Sequence, residues 1–159
     1  TSEGVEFNAN WKPTNIKFGL NFGYTFTDSY DANTCDPDEL ASYADNECRL
    51  TGNKVAKAKV RVPRHAVKTN ISYSMNQNLN FFLKGTYIGE TRDFGNTNDS
   101  WTDQILTDYL VFDLVNSYNL FDNYKIQIGI NNILDEKYQQ AHEYSTMGRA
   151  FNLGLRKIY

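Results

Sequence analysis

Long apolar runs are missing from this chain. No stretch of its 159 residues approaches the roughly 18 consecutive apolar residues that a membrane helix requires, so any crossing of a bilayer must be made by strands. Clusters of basic charge are missing as well. The formal net charge is -3 and the pI is near 5.3, and Lys and Arg are scattered rather than gathered into a stripe able to neutralise phosphates. Nucleic acid is thereby excluded as a partner. Cysteine is scarce, with only Cys35 and Cys48. Neither histidine lies near them and no C-x-x-C spacing occurs, which leaves a metal site without ligands. No motif for a bound cofactor is present, and there is no G-x-S-x-G or metalloenzyme signature, so the chain does not read as an enzyme. It also lacks an initiator Met and a signal peptide, opening at Thr1, and is expected to be a mature or truncated piece.

What the chain does have is aromatic residues and alternation. It carries 11 Tyr and 10 Phe, and aromatics make up 14% of the sequence, while its mean hydropathy of -0.60 is polar. Ile16, Phe18, Leu20, Phe22, Tyr24 and Phe26 alternate with Lys17, Gly19, Asn21, Gly23, Thr25 and Thr27. A period of two is that of a strand. The polar side is small and rich in amides and hydroxyls, which suits a wet lumen better than the Lys/Glu surface of a soluble sandwich.

The same alternation predicts seven strands. The first carries Val5, Phe7, Ala9 and Trp11 on one face, and the second runs over 16–27. The third, over 59–75, slips phase between Val60 and Val62 on one side of Pro63 and Val67 to Met75 on the other, which predicts a bulge near Pro63. The fourth places Leu79, Phe81, Leu83, Gly85 and Tyr87 together, with Phe82 and Ile88 as exceptions on the wet face. The fifth sets Leu110, Phe112, Leu114, Tyr118 and Leu120 on one face, the sixth Ile126, Ile128 and Ile130, and the seventh Phe151, Leu153, Leu155 and Tyr159. Short turns at Pro13, Gln77 and Asp122 alternate with long polar connections around Cys35, Trp101 and His142. This asymmetry places the turns and the C-terminus on the periplasmic side and the long connections outside. Ser29 to Lys57 and Arg92 to Thr107 read as polar loops. The fold class is all-β, an antiparallel meander of transmembrane strands. Seven strands with two free edges cannot sit in hydrocarbon unclosed, so further strands are expected upstream, a barrel shared between chains being the alternative.

Four segments then fall into one pattern: Gly4-Val5-Glu6, Val62-Pro63-Arg64-His65, the run Asn131-Asn132-Ile133-Leu134-Asp135-Glu136-Lys137-Tyr138, and Met147-Gly148-Arg149-Ala150-Phe151-Asn152-Leu153-Gly154-Leu155. In this order they resemble the C-terminal barrel strands of TonB-dependent outer-membrane receptors. Two departures are Met147, where that pattern usually has Pro, and Lys157, where an apolar residue is usual. The resemblance implies a barrel of about 22 strands whose last seven are these. A plug domain and a TonB box would lie outside the chain. It also implies import of a scarce small-molecule ligand such as a ferric siderophore, haem or cobalamin, with a lean towards the cobalamin branch from the Pro-Arg-His element. The implied partners are outer-membrane lipid, the rest of the barrel with its plug, the TonB complex through the N-terminal part, and the barrel-assembly machinery. That machinery would read Phe151, Leu153, Leu155 and Tyr159.

Ligand capture would fall to Trp101, Tyr138, His142, Tyr144 and Arg149. Four of them have a plainer reading: interfacial or loop packing for Trp101 and Tyr138, a solvated loop histidine for His142, and a lumen salt bridge for Arg149. His65 reads as a lumen or rim residue. Cys35 and Cys48, with twelve residues between them, suggest a disulfide in an oxidising compartment, two free thiols being the alternative. The acidic residues between Asp31 and Glu47 read as solvated surface rather than a calcium loop. Ser145 near His142 leaves a remote hydrolase reading, and a small complete structural or adhesive barrel is the other alternative.

Overall fold

The computed structural model describes residues 1–35, 54–97, 100–121 and 123–157. Cys48, Asp122 and Tyr159 lie outside them, and with Cys48 so does the expected disulfide. All regular structure among the described residues is β. The elements are β1 (Ser2–Trp11), β2 (Phe18–Cys35), β3 (Lys54–Ala58), β4 (His65–Ser74), β5 (Leu79–Ile88), β6 (Thr91–Thr97), β7 (Ser100–Leu106), β8 (Tyr109–Leu120), β9 (Tyr124–Asn131), β10 (Gln139–Ala141), β11 (Tyr144–Ser145) and β12 (Ala150–Lys157).

Seven of them form an antiparallel wall in the order β1-β2-β4-β5-β8-β9-β12, and β3 adds to the far end of β2. These seven are the strands the alternation predicts, and the register joins their apolar residues across the whole sheet. Trp11 pairs with Leu20, Leu20 with Ile71, Ile71 with Leu83, Leu83 with Leu114, Leu114 with Ile130 and Ile130 with Phe151. A slip of one residue anywhere would carry that strand's apolar set to the other face. Cross-strand contacts reinforce the row, as in the Phe7–Phe22, Trp11–Phe18 and Tyr73–Phe81 ring pairs. The ring of Phe112 occupies the space a side chain at Gly85 would fill.

This apolar face does not close on an interior. Among the described residues the only buried hydrophobic side chains are Leu106 and Val111, whereas Phe7 is 55% exposed and Leu153 80%. A water-soluble domain of this size buries a contiguous core; here the apolar surface is continuous and uncovered.

The opposite face is polar and hollow. Asn10 pairs with Asn21, Asn21 with Asn70, Asn70 with Lys84 and Lys84 with Asp113, and Lys84 Nζ lies 3.6 Å from an Asp113 carboxylate oxygen. Asn10 of β1 and Lys12, just past its end, line one cavity of about 510 Å³ together with Asp113 of β8 and Asn131 of β9. Side chains this far apart along the strand order meet one hollow because the sheet curls around its polar side.

Short turns join the wall strands at one end. In the β4–β5 turn the Asn76 Oδ1 accepts the amides of Asn78 and Leu79, both at 2.8 Å, a local bond that favours turns over continued strand. Two expectations at the other end need correction. The segment Arg92 to Thr107 is a β-hairpin, with β6 and β7 paired from Thr91↔Leu106 to Thr97↔Ser100, and the ends of Ser29 to Lys57 are the strand pair β2–β3. Both hairpins are rich in polar residues, so no apolar alternation marks them. The phase slip at Pro63 is larger than a single-residue bulge. Pairing of β2 with β4 stops at Phe26↔His65 and resumes with β3 at Tyr30↔Ala58, leaving residues 59–64 opposite 27–29. Arg64 O and Ser29 O still accept the Thr27 and Lys59 amides at 2.9 Å each. His65 sits at this end on the apolar face, its Nδ1 2.9 Å from the Tyr24 hydroxyl, so the rim position is met and the lumen position is not.

Candidate functional site

Two connecting segments, 59–64 and 132–149, lie over the polar side. Val62 and Pro63, from residues 59–64, line a cavity with Asn8, Asn10, Thr25 and Lys68, all polar-face residues. Residues 132–149, joining β9 to β12, lie on the same side. Their first amide, that of Asn132, donates to Asp113 Oδ1 at 2.9 Å, and Ile133 N donates to Phe112 O at 2.8 Å.

Asn132 organises that connection. Its φ is +50°, a left-handed conformation that Asn tolerates better than most residues, and it is only 3% exposed. Its side-chain nitrogen donates to Glu136 O at 2.9 Å and Met147 O at 3.5 Å, and its Oδ1 accepts the Glu136 amide at 2.9 Å. Asp135, also left-handed at φ +57°, accepts the Arg149 amide at 2.8 Å. The two side chains therefore clip both ends of the connection together, which is the structural work of the Asn131–Tyr138 run. Further along, the Tyr138 ring stacks on Tyr109 with centroids 4.1 Å apart, and Thr146 Oγ1 donates to Tyr138 O at 2.7 Å.

The other fastening is Asp93 on β6, 1% exposed. Its Oδ1 accepts Arg61 Nε and the Phe94 amide, both at 2.9 Å, and its Oδ2 accepts the His142 amide at 2.7 Å. Burial, the strongest single influence, pushes the carboxyl's pKa up. The His142 amide, the Arg61 hydrogen bond, the Phe94 amide and the Arg61 charge together outweigh it, and the net displacement is below the ordinary value. Beside it, Arg92 binds Asp103 through Nε at 3.0 Å and Nη2 at 2.7 Å, donates to Ala58 O at 2.7 Å, and lies 4.6 Å over the Phe94 ring. The His142 ring packs against Gly95 so closely that a Cβ there would overlap it.

Between the β6–β7 hairpin and residues 132–149 lies a cavity of about 670 Å³, lined among others by Gln104, Leu106, Tyr138, Gln139, His142 and Thr146. Its size is in the range of small-molecule sites, and its lining mixes amides, hydroxyls, an imidazole and apolar carbons. Of the five residues singled out in the sequence, Tyr138 and His142 meet here. Tyr144 is 73% exposed on β11 and does not line the cavity, Arg149 is exposed beyond its amide bond to Asp135, and Trp101 pairs by its backbone with Asn96. Sequence reasoning missed Asp93, Arg61, Tyr109 and the clip function of Asn132. Among the described residues no group of three or more His, Cys, Asp or Glu is placed to hold a metal.

Comparison with known proteins gives a consistent picture. A family model described as TonB dependent receptor-like, beta-barrel, matches residues 1–133. Among curated sequences none matches. Similar solved structures include the siderophore receptor PiuA of Acinetobacter baumannii (22% identity, TM-score 0.71, covering 99% of this chain and 21% of that one). The ferric-catecholate import receptor Fiu of E. coli K12 is 19% identical, with a TM-score of 0.72, covering 98% of this chain and 20% of that one. The ferripyoverdine receptor of the outer membrane of Pseudomonas aeruginosa is 17% identical, with a TM-score of 0.70, covering 98% and 19%. The chain thus spans about a fifth of the length of these structures.

Proposed function

The chain belongs to the TonB-dependent receptor-like β-barrel family, and from that premise we propose that it is the C-terminal barrel wall of an outer-membrane receptor importing a ferric-siderophore-class ligand. The observation that carries the reading is the unbroken apolar row from Trp11 to Phe151 with no interior beneath it. On β2 the apolar face extends from Phe18 to Phe26 and is followed by Asp28, which faces Glu3. Nine residues suit the strand length needed to cross hydrocarbon, about 9 to 11. The apolar face then meets lipid and the polar face lines the path of the ligand.

In this reading the rest of the barrel and a plug lie outside this chain. The short turns and the C-terminus face the periplasm, and the long connections face outward. The rim cavity with Tyr138 and His142 contacts the ligand, aided by Trp101, Tyr144 and Arg149 from the surrounding connections. Phe151, Leu153 and Leu155 on β12, with Tyr159, form the assembly signal, and Cys35 bonds to Cys48. A siderophore is favoured over cobalamin because the similar solved structures bear siderophore-receptor names.

The test is uptake in cells whose only receptor for iron chelates is the full-length protein, with and without a working TonB. Radioiron should accumulate from at least one ferric catecholate or hydroxamate, and only with TonB. Uptake of cobalamin or haem alone would overturn the ligand class, and no TonB-dependent uptake of any of them would overturn the transport reading.

A further inference from the structure

Three segments far apart in sequence converge on one buried carboxylate. Arg61 belongs to the insertion 59–64 that leans over the polar face, Phe94 to the β6–β7 hairpin, and His142 to the connection lining the rim cavity. Arg61 has φ +59°, a left-handed conformation that is strained for a non-glycine residue. It is held there by its ion pair with Asp93 at 2.9 Å and by its amide donating to Arg92 O at 2.8 Å. The insertion is therefore kept in a strained shape by contacts to the hairpin, while the same carboxylate fixes the His142 backbone through its other oxygen.

We propose that Asp93 makes the insertion and the rim cavity a single mechanical unit, so that a displacement of residues 59–64 on the polar face alters the cavity around His142, and the reverse. Arg61 is not among the residues lining that cavity, and its side chain is linked to the cavity's connection through Asp93, which it shares with the His142 amide. Asp93 is a positioning residue with two outputs, one per carboxylate oxygen. The coupling stands whatever ligand the cavity takes, because its test needs none.

The test is hydrogen–deuterium exchange on the full-length protein in detergent micelles. Arg61→Gln, at a side chain 57% exposed, should raise exchange in residues 139–146 about five-fold or more, the low end of measured site-to-site couplings. Asp93→Asn should raise it in 59–64, 91–97 and 139–146 together. Adding Arg61→Gln to Asp93→Asn should then change 139–146 no further. Wild-type exchange at 139–146 in Arg61→Gln, or full additivity in the double variant, would overturn the coupling. Since Arg61→Gln removes only an exposed partner, the result is readable even if Asp93→Asn folds poorly.

Discussion

The wall and the rim of this molecule are built by different physics. In the wall, backbone ladders run in continuous register and side chains need only be apolar on one face and small or polar on the other. Leu83 and Leu114 hold their places because the strand period puts them there. In the rim, ladders are short and shape comes from a few side chains that each satisfy several backbone groups, chiefly Asp93, Asn132 and Asp135. The wall distributes its stability over many interchangeable residues, whereas the rim concentrates it in a few that cannot be exchanged.

That contrast can be broken first from the wall side. Leu83→Arg puts a cation in the middle of the apolar row and should cost about 2–4 kcal/mol if that row meets the bilayer midplane, read as a shift in the denaturant midpoint of the full-length protein in lipid vesicles. Asn70→Arg, on the polar face beside Leu83's cross-strand partner Ile71, should leave the midpoint nearly unchanged; equal losses would mean that the two faces are not differently solvated. Asn132→Ala tests the rim. It removes three hydrogen bonds and leaves alanine at a positive φ, so residues 132–149 should loosen by about 1–3 kcal/mol. Limited proteolysis within that segment would report this, with the global midpoint little moved.

Acid sharpens the comparison without mutation. The Asp93 carboxyl titrates below its ordinary value when folded, so its contribution is complete above roughly pH 4 and is lost as the pH falls through the lower, folded-state value. Near-ultraviolet circular dichroism should show the Tyr109–Tyr138 stack loosening over that interval while the far-ultraviolet strand signal persists. In Asp93→Asn the change with pH should be absent. The smallest effect is expected at Arg64 and Asp28, paired at 3.2 Å with side chains 65% and 37% exposed. Arg64→Ala should cost at most about 1 kcal/mol, and a larger loss of stability would show that exposed rim pairs matter more than their solvation allows.

The sequence carried the wall because its information is local: each of the seven strands states its own period, and even Pro63 declared a break in phase. The size of that break was not legible, since both Val60–Val62 and Val67–Met75 alternate correctly and nothing local says that residues 59–64 leave the ladder. The β6–β7 hairpin escaped for a related reason. It is held by Arg92–Asp103 and Asp93 rather than by an apolar face, and its polarity reads as loop. Tyr138 and His142 were singled out through the family resemblance, and the fold brings both to one cavity. Asp93 was not, because its partners lie 32 and 49 positions away, and only the folded chain brings them within reach. A search for lone carboxylates flanked by aromatic and basic residues, such as Arg92-Asp93-Phe94, would have raised it as a candidate among many.

The break at residues 59–64 has one more implication. The ladder of β2 ends on one partner at Phe26 and restarts on another at Tyr30, and between the bonds of Lys59 and Arg64 to β2 residues 60–63 lie outside the pairing that fixes the strands. Their number can change by one, two or more without inverting any strand. A lineage can therefore lengthen or shorten this segment and remodel the mouth while inheriting the staves of the cask unaltered.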